Sequence, residues 1–246
     1  MRVLGWVAGL AASSLALSAL AADDAAAPPP APPKLIKGTI VSLAADVLTV
    51  KAGDGETVAA SMLPNTNIVF DEMRKFSDIK QGDFIGSAAV KGADGKLHAK
   101  EVHIFPPALR GAGEGQYPWG ESGSSTSMTN ATVMGVSHKP SLAMSSMTNA
   151  TVANASGSAL KLTYHGAGET AGVCSGPAVM AAPKGGCMGD AEILVSPNVP
   201  VVALVPGDRS LLVPGKAVSL FTTKDKDGKT IALGMTVEKN GIKPIN

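Results

Sequence analysis

Between residues 39 and 105 the chain reads TIVSL, VLTVKA, TVAAS, NIVF, DFIGSAAV and KLHAKEVHIF, separated by polar turns. Short apolar or alternating runs rich in β-branched residues are the pattern of strands. Gly53-Asp54-Gly55 and Asp94-Gly95 fall between them, where hairpin tips need positive φ and two-residue turns are predicted. DIKQGDF and SLLVPGKAV place a polar or Pro-Gly turn before a strand, so a loop or short helical turn is predicted there.

The strand pattern occurs twice. Residues 64–104 align without a gap on 197–237 at an offset of 133, with PNTNIVF over PNVPVVA and KGADGKLHAKEVHI over KDKDGKTIALGMTV. TIVSLAADVLTV (39–50) aligns on TVANASGSALKL (151–162) at an offset of 112. A repeated unit of five or six short strands fits a small closed or nearly closed barrel, OB-like or SH3-like, because closure removes exposed edges. The predicted fold is therefore all-β, with two tandem small barrels at 37–106 and 148–243 joined by a Gly/Ser-rich connector at 107–147. The two offsets differ by 21, which places an insertion in the second copy between Leu162 and Glu192.

The heptapeptide SMTNATV stands at 127–133 and again at 146–152, nineteen residues on. The gapless alignment assigns the second copy to the first strand of the second module. The first copy then becomes an extra strand in the connector, and deleting residues 128–147 is expected to leave folding intact.

Ahead of the modules, Arg2, an apolar run over 3–20 and small residues at Ala19 and Ala21 form the layout of a cleavable secretory leader, 1–21, with an uncleaved anchor helix as the alternative. A Pro/Ala-rich linker, 22–36, comes next, and AAAPPPAPP reads as a polyproline-type spacer. A formal charge of +1 creates no long-range field for nucleic acid or other polyanions. No run after the leader is long and apolar enough for a second span. Cys174 and Cys187 are the only cysteines and lie inside the insertion, so export predicts one disulfide clipping an extended hairpin.

EVHIFPPALRGAGEGQYPWG, SMTNATV and VPGDRSLLVPGKAV resemble blocks of a group of exported bacterial proteins of unknown function, built from a duplicated small β-barrel domain whose function is also unknown. The resemblance implies a bacterial, periplasmic or secreted protein and brings no activity with it. In that group the central block tends to read GEGH and PWD, with SMTNATV once; here Gln116, Gly120 and a doubled heptapeptide stand instead. Members are often labelled metal ABC transporter permease, but a permease needs several apolar spans of about 20 residues.

Three sets of residues carry candidate chemistry. His98 and His103, five apart on a strand, are predicted on opposite faces, whereas Glu101 and His103 share one. Met128, Met134, His138, Met144 and Met147, with Met180 and Met188 near the cysteines, are soft donors that suit copper as Cu(I). Glu101, His103, Arg110, Glu114, Tyr117 and Trp119 form a candidate surface for a partner protein or small ligand. GESGS lacks the closing glycine of a nucleophile elbow, and GAGEG lacks the P-loop lysine. The sequence thus favours a non-catalytic structural or interaction protein, with periplasmic copper handling as the alternative.

Overall fold

The computed structural model describes residues 33–119, 125–137, 158–178 and 186–245. The leader, most of the Pro/Ala-rich linker and the second SMTNATV copy lie outside the described residues. Thirteen strands form one hydrogen-bonded sheet: β1 (Lys34–Ala44), β2 (Val47–Ala52), β3 (Thr57–Arg74), β4 (Phe84–Lys91), β5 (Leu97–Ile104), β6 (Gly115–Pro118), β7 (Thr126–Ser137), β8 (Ser158–Thr170), β9 (Val173–Pro177), β10 (Cys187–Val195), β11 (Val201–Pro206), β12 (Ala217–Lys224) and β13 (Thr230–Val237). The fold is all-β, as the alternating pattern predicts.

Three hairpin tips share one turn. Ala52, Gly92 and Asp225 each donate N–H to the carbonyl four residues on, at Glu56, Lys96 and Lys229, and so enclose three residues, not two. The third enclosed residue is Gly55, Gly95 or Gly228, with φ of 91, 76 and 78°. A three-residue loop ending in the left-handed region is the type I turn with a G1 bulge, so the Asp-Gly pairs mark the tips but not their length. Helical turns at Phe76–Asp78 and Arg209–Leu211 precede β4 and β12, where the sequence predicts short turns.

Strand pairing departs from a serial layout. One closed circuit runs β1–β2–β3–β13–β12 and back to β1, with β3 and β13 parallel. A second runs β7–β8–β10–β5–β4 and back to β7, with β10 and β5 parallel. The β4–β5 hairpin of the first repeat thus completes the circuit of the second, and β12–β13 of the second repeat completes that of the first. The boundaries 37–106 and 148–243 do not separate these groups. Sequence similarity identifies equivalent strands but carries no information on which copy supplies a partner, because exchanged and unexchanged pairings bury the same faces.

Each circuit has its own apolar filling. Ile40, Leu48, Val50, Leu220 and Val237 belong to the first, and Ile85, Val102, Val133, Leu160, Leu162 and Ile193 to the second. Strand β11 bridges them, antiparallel to β3 and parallel to β5. In the β3–β11 ladder Asp71 pairs with Leu204. These two positions are each other's equivalents at the 133-residue offset, so an approximate twofold axis passes between them.

The doubled heptapeptide is placed differently from the sequence expectation. The first copy lies inside β7, paired with β4, β6 and β8, with Met128, Thr129, Asn130, Ala131 and Val133 buried. Bulges support its equivalence to β1: one shifts register between Ile40 and Ser42, the other between Val133 and Gly135. The extra residues consequently fall after β7, whereas β1 and β2 are joined by a two-residue turn at Ala45 and Asp46, between the paired Ala44 and Val47. The gapless alignment favours the second copy because only that copy continues in step into ALKLTY, whereas the bulge and the burial pattern along β7 favour the first. Of the connector 107–147, at least β7 is an integral strand.

Candidate functional site

Along the ladder β13–β3–β11–β5, one face carries Thr236, Val69, Asp71, Leu204, Val202 and His103, all buried and, apart from the apolar clusters of the two circuits, a layer of their own. Glu101 joins it from β5, with Oε1 at 3.5 Å from His103 Nε2. The sequence suggested a surface pair here; instead both side chains are at most 10% exposed. Asp71 Oδ2 accepts the backbone N–H of Ile245 at 3.1 Å, so the C-terminal tail reaches this layer. Asp71 Oδ1 and His103 Nε2 have no hydrogen-bond partner. Burial raises the Asp71 carboxyl above its ordinary value, His103 acts against that rise, and Glu101 adds to it.

His98 and His103 do not stand on opposite faces. The β4–β5 register slips between Ala88 and Ala89, so β5 bulges at Lys100 and the alternation shifts by one residue. Ala99 and Val102 therefore both point into the core, which leaves His98, Glu101 and His103 on the other side. His98 Nε2 is nevertheless occupied by Asp94, at 3.0 and 3.1 Å from the two carboxylate oxygens.

The GAGEG loop and the insertion meet. Glu114 Oε1 accepts from the backbone N–H of His165 at 3.0 Å and pairs with its Nδ1 at 2.9 Å. Cys174 on β9 and Cys187 on β10 form the predicted disulfide. Beneath it the buried Tyr164 hydroxyl donates to the Cys174 carbonyl at 2.9 Å, and Gln116 Oε1 lies 3.5 Å from the same hydroxyl. The glutamine at this position is thus part of the packing between β6 and the disulfide-bearing hairpin.

On the surface, Tyr117 and Trp119 lie edge to face with centroids 6.3 Å apart, and Trp119 reaches Phe221 of β12 at 5.9 Å. This aromatic strip spans from β6 to the first circuit. A shallow groove of about 330 Å³ runs beside it, lined by Gln116, Tyr117, Pro118, Ser127 and Ser175 among others. The Tyr117 hydroxyl donates to the Gly113 carbonyl at 3.1 Å, and burial pushes its pKa up to about 12. Asn130 Nδ2 donates to the carbonyls of Ala112 and Gly113 at 3.3 and 3.1 Å and so holds the loop onto β7. Arg110 is exposed and donates to the Gly82 carbonyl.

Of the candidate copper ligands, Met128 is buried at 6% exposure while Met134 is half exposed on the same strand. His138, Met144 and Met147 lie outside the described residues, and of the described pair Met128 is buried while Met134 is exposed, so those two do not share a site. Among the described residues no group of three or more His, Cys, Asp or Glu side chains is arranged to hold a metal ion, and no helix is long and apolar enough to cross a membrane. The sequence reading missed Asp71, His165 and Phe221. A signal for Asp71 was present: the repeat aligns it with Leu204, and a carboxylate over a leucine in an otherwise matching strand marks an asymmetric position. Compared with family models, curated proteins and solved structures, the chain matches none.

Proposed function

We propose that this is an exported, non-catalytic interaction protein whose two interlaced β-barrel modules present the Tyr117–Trp119–Phe221 strip to a partner. The observation that carries this reading is the strip itself, half-buried aromatic rings beside a shallow groove. Aromatic residues are only 4% of the chain, so three in contact at one surface is a concentration. Rings with one face packed and one edge wet are the usual anchors of a docking surface. The disulfide and the all-β fold suit an oxidising compartment outside the cytoplasm.

Trp6 and Trp119 are the two tryptophans, so leader removal leaves Trp119 as a single fluorescent reporter. Tagged protein is used to capture partners from periplasmic extract, and the captured partner is titrated against Trp119 emission. Trp119→Ala is expected to lower capture at least tenfold. Equal capture by that variant, with unchanged melting, would refute the reading.

A further inference from the structure

We propose that His165 and Met188 form an exposed binding site for one soft monovalent cation, Cu(I) or Ag(I), with Glu114 orienting the imidazole. This goes beyond the interaction reading and stands without it.

The ladder between β8 and β10 places Met188 directly opposite His165. Facing residues on antiparallel strands have Cβ atoms about 4.5–5.5 Å apart, close enough for a thioether and an imidazole to meet on a single ion. Both side chains face water: His165 is 63% exposed, and Met188 is 69% exposed as a residue. Met188 is the most exposed of the large apolar side chains in the described residues, so core packing does not explain a methionine there.

The Glu114 carboxylate supplies the second condition. It is only an acceptor, so its contact at 2.9 Å places the ring proton on His165 Nδ1 and leaves the Nε2 lone pair directed away. A carboxylate on the distal nitrogen is the arrangement that fixes tautomer and ring angle in metal-bound histidines. Glu114 is 18% exposed and also accepts the His165 backbone N–H, so it is held in place before any ion arrives. The disulfide at Cys187 anchors β10 one residue before Met188. Thioether with imidazole selects a soft ion; zinc would seek a closed set of four ligands, and among the described residues no such group stands here.

The test uses the full mature chain with its disulfide intact and methionines labelled with ¹³C at the methyl. One equivalent of Ag(I) is expected to move the Met188 methyl resonance and leave that of buried Met128 unmoved. In competition with a chromogenic Cu(I) chelator, Met188→Leu is expected to weaken binding at least tenfold and Glu114→Gln by about tenfold or more. Both substitutions should leave melting unchanged, which separates ligand loss from misfolding. The proposal is overturned if the wild-type chain does not retain the ion, if the first equivalent moves a different methionine, or if Met188→Leu binds as tightly as wild type.

Discussion

The two SMTNATV copies allow one substitution to be made twice in identical local sequence. Val133 is fully buried in the second circuit, packed among Ile85, Leu160 and Leu162. Val133→Ala removes two methyl groups, about 1.6 kcal/mol of transfer free energy at 0.8 kcal/mol per carbon. The cavity left behind brings the total to about 2–3 kcal/mol. For a chain of this size that lowers Tm by about 5–10 °C. Val152→Ala, the same change in the second copy, is expected to alter stability by less than about 0.5 kcal/mol. Urea unfolding of both variants, followed by circular dichroism, measures the difference. A larger loss at Val152 than at Val133 would show that the second copy fills the strand and would refute the placement of β7. The double variant adds a further reading. If the second heptapeptide can replace the first, the pair costs more than the sum of the two single variants; if it cannot, the two effects add.

Reducing the Cys174–Cys187 bond, which closes a separation of 13 residues, is expected to cost about 3 kcal/mol in urea unfolding with and without reductant. Asp71→Asn keeps an acceptor for Ile245 while removing a buried charge. Because the folded-state pKa is raised from 3.8, the wild type is unpenalised in acid and loses stability as pH rises through the folded value. The variant should therefore gain on the wild type as pH rises above 3.8 and hold a constant advantage at neutral pH, and a difference independent of pH would contradict the sign. Gly86→Ala places a Cβ 2.5 Å from Asn130 Oδ1 and 2.9 Å from the Phe105 ring, with an expected cost of about 1–3 kcal/mol in thermal melting.

Local features were legible wherever short-range physics decides them. Alternation located the strands, Asp-Gly pairs located the hairpin tips, and the two cysteines paired with each other. Features that depend on distant partners were not. Nothing in KLHAKEVHI reports a bulge at Lys100, because the slip becomes visible only against Ala88 and Ala89 of the facing strand. The burial of Glu101 and His103 comes from the crossing of the repeats, and a pattern read along one strand cannot contain it. Glu114 and His165 are 51 residues apart and meet only because the insertion folds back over the GAGEG loop.

Strand exchange also sets a timetable. A chain synthesised from its N-terminus delivers β1, β2 and β3 first, yet the parallel partner of β3 is β13, where Ser61 faces Ile231. The first circuit therefore stands open, with β1 and β3 offering unpaired backbone, until nearly the whole chain has emerged. Contacts this far apart in sequence slow folding, and open edges in the interval invite pairing with other chains. Maturation is thus gated by the arrival of the last hairpin, and a product truncated before residue 217 would be a candidate for rapid proteolysis, not a working half.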